Sequence, residues 1–204
     1  MKRLAMIDSR KVGRWALLTA MAAAVNVPAW AQSEPFKVGL ILPMTGPFAS
    51  TGRQIDAAVK LYMADHGATV AGRKVEVLLK DDTGVPDVTK RLAQELLVND
   101  KVDVLAGFGV TPSALAAGPI ATQARTPAVI MAAATSGIVA SSPYFIRTSY
   151  TLQQSAGSMA DWTNRNGIRR VVTMVSDYGP GIDAEKVYKE AVQKGGGQVI
   201  GEIR

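Results

Sequence analysis

From residue 36 onward, short continuous apolar runs alternate with stretches in which apolar residues recur every three or four positions. Short apolar runs bounded by glycine or proline are typical of buried strands, and the longer spaced pattern is typical of amphipathic helices. The runs predict strands at residues 37–42, 74–80, 102–106, 128–131, 145–147, 170–176 and 197–203. The spaced stretches predict helices at residues 52–65, 87–99, 112–125, 151–166 and 179–194.

Strands that alternate with helices predict an α/β fold in which a parallel sheet is covered on both faces. We assign residues 32–148 to a first α/β lobe of ordinary domain size. The pattern then restarts, and residues 149–204 are expected to form the first part of a second α/β lobe. Because the residues up to 204 do not complete the sheet of that lobe, we expect the sequence to be a C-terminally truncated fragment.

The first 31 residues have the three parts of a secretory signal peptide. Five basic residues and one acidic residue precede an apolar stretch at 15–27, which is too short to span a bilayer. Shortly after the stretch comes Ala29-Trp30-Ala31, a typical cleavage site. We therefore expect cleavage after Ala31 and export to the periplasm. The alternatives are a membrane anchor or a buried helix.

Charge and rare residue types exclude several classes of function. The chain has 23 basic and 17 acidic residues, and removing the signal peptide with its five and one leaves 18 and 16, a net charge of +2. A net charge this small does not indicate a nucleic-acid-binding protein. The chain has no cysteine and a single histidine, His66, which excludes thiolate sites and histidine clusters. We expect no cofactor, no metal and no catalytic set, and we interpret residues 80–82 (Lys-Asp-Asp) as a solvated strand end.

Three predicted loops are rich in glycine, serine and threonine, and they follow strands at one edge of the predicted sheet. They are residues 43–52, 107–113 and 132–137. Ligands of open parallel sheets bind at that edge. Thr111-Pro112 is interpreted as an N-cap followed by proline, which offers free amides to an anion. Hydroxyls of Thr111, Ser113, Thr135 and Ser136 can donate to a carboxylate. The alternative, that these residues only cap helices and form turns, stays open.

Several segments resemble one protein family, in order and with matching spacing. They are residues 36–52 (FKVGLILPMTGPFASTG), 80–83 (KDDT), 103–109 (DVLAGFG), 132–136 (AAATS) and 176–181 (SDYGPG). The set is similar to the leucine/isoleucine/valine-binding proteins, type I periplasmic binding proteins that serve ABC importers. The resemblance implies two Rossmann-like lobes with parallel sheets, the second lobe incomplete, joined by a three-stranded hinge whose first crossing falls near residues 147–151.

The resemblance also implies a ligand site between the lobes. Loops matching Gly109, Val110, Thr111, Ala133, Ala134 and Thr135 hold the ligand carboxylate in the family. Tyr178 matches an aromatic residue that lines the ligand, although it could be a packed surface tyrosine. Thr51 stands where amino-acid binders often carry an aromatic side chain, which leaves room for a bulkier ligand such as an aromatic carboxylate.

These implications lead to one functional hypothesis with two alternatives. We expect a monomeric, non-enzymatic solute-binding subunit of an ABC-type importer, which binds a small carboxylate-bearing solute and partners an inner-membrane permease. The solute would be a branched-chain or other amino acid, or an aromatic or aliphatic acid. The alternatives are the extracellular ligand-binding domain of a sensor and an exported α/β enzyme.

Overall fold

The structure, a computed structural model, describes residues 34–204, so the signal peptide predicted at residues 1–31 lies outside the described residues. The strands are β1 (Phe36–Leu42), β2 (Thr69–Val70), β3 (Arg73–Asp81), β4 (Val104–Gly107), β5 (Ala128–Ile130), β6 (Phe145–Arg147), β7 (Arg170–Met174) and β8 (Gln198–Ile203). The helices are α1 (Ala49–His66), α2 (Pro86–Val98), α3 (Thr111–Ala124), α4 (Leu152–Arg165) and α5 (Gly179–Lys194), with a 3₁₀ helix at Ile138–Ser141.

The first lobe is built on a six-stranded sheet with the order β2-β3-β1-β4-β5-β6. The strands β3, β1, β4, β5 and β6 run parallel, and β2 pairs antiparallel with β3. The antiparallel pair turns at Ala71 and Gly72, which both have positive φ angles (49° and 78°). A turn of this kind accounts for β2, which the hydrophobic pattern did not predict.

Both faces of this sheet are covered, as the alternating elements predict. Along β1, Leu40 and Leu42 belong to a cluster against α1, with Ile55 and Val59 packed on it. The intervening Ile41 belongs to the larger cluster formed with α2 and α3. All three β1 side chains are at most 1% exposed. Successive residues of a strand point to opposite faces, so a continuous apolar run is what a strand buried on both faces requires.

The second lobe contains the parallel pair β7–β8 with the helices α4 and α5 packed on each other. Its sheet has two strands, and apolar side chains on them remain exposed, such as Met174 at 76%. The predicted α/β class, with two lobes of parallel strands and an incomplete second lobe, is therefore confirmed. The exact lobe boundary at residue 148 stays a prediction.

A close contact between a glycine and a carbonyl recurs where a strand leads into a helix. In the first turn of α1, a Cβ on Gly52 would lie 2.2 Å from the carbonyl oxygen of Pro43, just after β1. In the first turn of α5, a Cβ on Gly181 would lie 1.9 Å from the carbonyl oxygen of Ser176, just after β7. Only glycine permits such an approach, so both lobes bring the helix start against the loop in the same way.

Candidate functional site

The three hydroxyl-rich loops lie side by side, as predicted. In the sheet register Ile41 of β1 pairs with Gly107 of β4, and Gly107 pairs with Ile130 of β5. The three strands run parallel and end at the same level, so their following loops open at one edge of the sheet. That edge is where open parallel sheets bind ligands.

The first of these loops is anchored by Asp81 at the end of β3. Asp81 Oδ1 accepts hydrogen bonds from the amides of Met44 (2.8 Å) and Thr83 (2.8 Å), and Oδ2 accepts one from Thr45 Oγ1 (2.7 Å). Burial raises the pKa of Asp81, but these hydrogen bonds outweigh it, and the net pKa lies below the usual value. Asp81 therefore stays ionised and holds the loop in place.

The neighbouring Asp82 is fully buried, so our interpretation of residues 80–82 as a solvated strand end was wrong. Its Oδ1 accepts a bond from the Gly84 amide (2.9 Å), and its Oδ2 lies 2.7 Å from the Thr89 hydroxyl, which lies 2.8 Å from Ser113 Oγ. Because a carboxylate only accepts, the Thr89 hydroxyl donates to Asp82, and the Val85 carbonyl (3.1 Å) and Ser113 Oγ are alternative acceptors of the same proton. The chain of bonds ties the start of α3 to α2.

The start of α3 presents free amides at the same edge. Val110 is the N-cap, Thr111 is the first helical residue and Pro112 the second, so the prediction of Thr111 as N-cap was wrong by one residue. The amides of Gly109, Thr111 and Ser113 have no acceptor within the described part of the chain. Free amides and the positive end of the helix dipole favour an anion here.

Thr111 and Thr135, the two residues predicted to hold a carboxylate, form a direct pair. Their hydroxyl oxygens are 2.7 Å apart, and Thr111 is only 3% exposed. One hydroxyl must donate to the other, so one proton of the pair has no acceptor within residues 34–204. The pair therefore offers a single hydroxyl donor beside the free amides of α3.

Arg147 holds the loop that carries Thr135. Its guanidinium donates to the carbonyl oxygens of Thr135 (2.6 Å) and Ala134 (3.3 Å), and the Leu152 amide also donates to Ala134 O (2.8 Å). Burial lowers the pKa of Arg147 and the negative charge of Asp183 opposes the change. With its carbonyls bound, the loop keeps the amides of Ala134 and Thr135 free, with no acceptor among the described residues.

Ala133 is placed differently from its neighbours in this loop. Its amide donates to the Phe108 carbonyl (3.0 Å), and its side chain is 2% exposed within the main core. Ala133 therefore supports the loop from behind, whereas Ala134 and Thr135 have their amides available.

The second lobe faces this edge with a second helix start. Tyr178 is the N-cap of α5, and a Cβ on Gly179 would lie 3.7 Å from Thr111 Cγ2. The amides of Gly179 and Gly181 have no acceptor in the described residues. Tyr178 is 37% exposed and makes no side-chain hydrogen bond to residues 34–204, so its ring is available beside the site. Two helix N-termini, one from each lobe, therefore meet at the threonine pair.

Thr51 lies in the first turn of α1, which begins at Ala49, three residues before the predicted start. Its hydroxyl makes no hydrogen bond to Thr111, Thr135 or any other described residue. Pro43 links this helix to the second loop, because a Cβ on Gly109 would lie 2.6 Å from the Pro43 ring. Thr51 is thus adjacent to the site through Gly52 and Pro43.

A large apolar groove lies on the face of the sheet that α1 covers. It has a volume of about 530 Å³ and runs between α1 and the sheet, where residues such as Leu40, Val59, Tyr62 and Met131 line it. No charged side chain of residues 34–204 lines the groove, so these residues offer a carboxylate no ionic partner there. Within residues 34–204 there is also no cluster of potential metal ligands and no helix long and apolar enough to cross a membrane.

Sequence reasoning missed three contributors to the site. Asp183 finds its partner, Ser136, 47 residues away, so no local pattern could assign it. The burial of Asp82 against α2 depends on tertiary packing, although its partners Gly84 and Thr89 are near in sequence. Arg147 could have been noticed, since it is a lone charge at the carboxyl end of a predicted apolar strand.

Comparison with known proteins agrees with this arrangement. Residues 35–204 match the model of a family described as periplasmic binding protein. The Leu/Ile/Val-binding protein homolog 6 of Brucella abortus (strain 2308) is 44% identical over 188 residues, which are 92% of this chain and 48% of that protein.

Two crystal structures are similar along most of the chain. A solute-binding protein of an ABC transporter from Rhodopseudomonas palustris BisB5, in complex with 3,4-dihydroxybenzoic acid, has 61% identity and a TM-score of 0.82, covering 83% of this chain and 47% of that one. A solute-binding protein from Rhodopseudomonas palustris HaA2, in complex with p-hydroxybenzoic acid, has 42% identity and a TM-score of 0.81, covering 84% and 46%.

The chain spans about half the length of these relatives. The family match covers the whole of the described structure from residue 35 onward, with both lobes included. The resemblance found in the sequence is confirmed, and the chain belongs to the periplasmic binding protein family.

Proposed function

We propose that this chain is the solute-recognising part of an ABC importer's binding protein, and that it holds a small carboxylate between its two lobes. The observation that carries the proposal is the Thr111–Thr135 hydroxyl pair, 2.7 Å apart, at the meeting point of the N-termini of α3 and α5. Neutral donors in a partly buried site stabilise an anion without requiring a paired cation.

The five donors are enough to satisfy a carboxylate, and they are of the right kind. The amides of Gly109 and Thr111 in one loop, those of Ala134 and Thr135 in the next, and one threonine proton are without acceptors in the described residues. A carboxylate accepts about four hydrogen bonds through its two oxygens. Val110 shapes the site as the N-cap between Gly109 and Thr111, and Ala133 supports it from the core.

We further propose that the solute is an aromatic acid of the hydroxybenzoate type. The two solved relatives were crystallised with such acids. The small side chain of Thr51 and the exposed ring of Tyr178 suit a planar ring beside the anion site. Asp183 lies between the lobes, but Ser136 already occupies one of its oxygens, which makes it a poor partner for the ammonium group of an amino acid.

The rest of the functional assignment follows from this role. The protein acts by binding and not by catalysis, it is exported after cleavage behind Ala31, and it works as a monomer that delivers its solute to an inner-membrane permease. Closure of the lobes over the solute would create the surface that the permease recognises, because the solute favours the closed state.

Isothermal titration calorimetry of the complete mature protein tests the proposal. We expect 3,4-dihydroxybenzoate or 4-hydroxybenzoate to bind, and leucine to bind more weakly or not at all. Thr111→Val and Thr135→Val keep the volume and remove a hydroxyl, and each should weaken binding by about 1–3 kcal/mol, or roughly 5- to 150-fold.

Thr69→Val is the matched control, since Thr69 is exposed on β2 and distant in sequence from the three loops. It should leave the affinity unchanged. Tight binding of leucine in place of the benzoates would refute the solute class and leave the site assignment standing. Unchanged affinity in both Thr111→Val and Thr135→Val would refute the site.

A further inference from the structure

The carboxylate of Asp183 joins the two lobes directly. Asp183 lies on α5 of the second lobe, and its Oδ2 accepts hydrogen bonds from both the amide (2.9 Å) and the hydroxyl (2.8 Å) of Ser136. Ser136 lies in the loop after β5 of the first lobe, immediately after Thr135 of the hydroxyl pair. Forty-seven residues separate the two partners along the chain.

The same serine also contacts the segment in which the chain passes between the lobes. Ser136 Oγ accepts a weaker hydrogen bond from the Gln153 amide (3.3 Å), in the first turn of α4. The crossing itself lies between the end of β6 at Arg147 and the start of α4 at Leu152. Ser136 is therefore bound to the hinge segment on one side and to α5 on the other.

A positive charge acts on Asp183 within the same group of residues. Arg147 donates to the carbonyl oxygens of Ala134 and Thr135, and its positive charge interacts with the negative charge of Asp183. An acidic residue near an anion site would ordinarily repel a carboxylate. The positive charge of Arg147 therefore reduces the repulsion between Asp183 and an anionic solute.

We propose that Ser136 and Asp183 form an interlobe latch, which holds the two lobes together with or without solute and which controls how long a bound solute stays. The two partners belong to different lobes, so they can meet only when the lobes are together. A carboxylate that accepts two hydrogen bonds in a partly buried position stabilises the state in which both are formed. The effect on solute release rests on the proposed function, whereas the contact between the two lobes does not depend on it.

Interlobe distance measurements test the latch without any solute. Residues 1–204 contain no cysteine, so spin labels on Gln123→Cys of α3 and Gln193→Cys of α5 report a single distance between the lobes once any cysteine in the rest of the complete protein is replaced by serine. Both positions are exposed. In the complete mature protein, Asp183→Asn and Ser136→Ala should each increase the population with long distances, and the double variant should add little to either single variant.

Asp161→Asn is the control, since it removes the same charge from an exposed position on the neighbouring helix α4. It should give the wild-type distance distribution. Identical distributions in wild type, Asp183→Asn and Ser136→Ala would overturn the latch, whether or not a solute binds.

Solute dissociation provides the second measurement, with 3,4-dihydroxybenzoate as the probe. Asp183→Asn should accelerate its dissociation by about 10- to 100-fold in stopped-flow displacement, with a smaller change in the association rate. Dissociation that stays at the wild-type rate would contradict the latch. If the probe binds neither wild type nor variants, the proposed function fails, and the distance measurement still decides the latch.

Discussion

Replacing Thr89 by valine tests the buried connection between Asp82 and the start of α3. Thr89 is fully buried, and its hydroxyl lies 2.7 Å from Asp82 Oδ2 and 2.8 Å from Ser113 Oγ. Valine has nearly the same volume and helix propensity, so the substitution removes the hydroxyl with little other change. The Asp82 carboxylate then keeps only the bond from the Gly84 amide, and Ser113 Oγ loses its contact with the Thr89 hydroxyl.

The expected cost follows from the charge of the acceptor. A hydrogen bond to a charged group contributes about 1.5–3 kcal/mol, and its loss in a buried position is not compensated by water. We therefore expect Thr89→Val to reduce the free energy of unfolding by about 2–3 kcal/mol. For a chain of this size, such a loss lowers the melting temperature by about 4–12 °C.

Thr89→Ser separates the hydroxyl from the methyl group. Serine keeps the donor and loses one methyl, which should cost about 1 kcal/mol. Circular-dichroism melts and urea titrations at pH 7 measure both variants, with Thr69→Val on the exposed strand β2 as a control expected to lie within about 0.5 kcal/mol of wild type.

Two outcomes would refute the reasoning about Thr89. Equal losses in Thr89→Val and Thr89→Ser would mean that the methyl group contributes as much stability as the hydroxyl, which contradicts the expected order. A valine variant as stable as wild type would mean that Asp82 needs no donor from α2. A third measurement connects the network to the site, because a displaced Ser113 should weaken carboxylate binding in Thr89→Val more than in Thr89→Ser.

Two further predictions concern backbone contacts and pH. Gly157→Ala should stabilise α4 by about 0.5–1 kcal/mol, because nothing lies near the added Cβ. Gly181→Ala should destabilise the protein, because the added Cβ would meet the Ser176 carbonyl. Thermal melts in which both variants changed the melting temperature in the same direction would contradict this. The hydrogen bond from Arg204 holds the pKa of Glu185 below its usual 4.5. The stabilisation that ionised Glu185 gives the folded protein is therefore present above pH 4.5 and is lost as the pH falls through the lowered pKa. Melting temperatures between pH 6 and pH 3 should decline less steeply in Glu185→Gln than in wild type.

The order of strands and helices followed from local patterns, because burial of alternating or spaced side chains leaves a periodic trace in the sequence. The errors lie where the pattern is weak or the partner is remote. The start of α1 was placed three residues late, since Ala49, Ser50 and Thr51 carry no helical periodicity and the contact of Gly52 with Pro43 positions that turn. The two-residue strand β2 is too short to produce any pattern.

The candidate site also has a part that the sequence predicted and a part that it did not. The sequence identified the three loops after β1, β4 and β5, because parallel strands that alternate with helices must end at a common edge. It also identified Thr111 and Thr135, whose hydroxyls the structure brings to 2.7 Å. It assigned the wrong environment to Asp82, because the sequence does not show that the turn after β3 is buried against α2.

The sequence by itself therefore determined the fold class, the family and the edge of the sheet at which a ligand can bind, since these depend on local periodicity and on short motifs. Only the tertiary structure decided which polar groups are already satisfied and which remain free. The bonds of Asp82 to Thr89, of Arg147 to the Thr135 loop and of Asp183 to Ser136 join separate elements of the chain. Such pairs are selected by packing in three dimensions, and a hydroxyl or carboxylate carries no mark in the sequence of the partner it will meet.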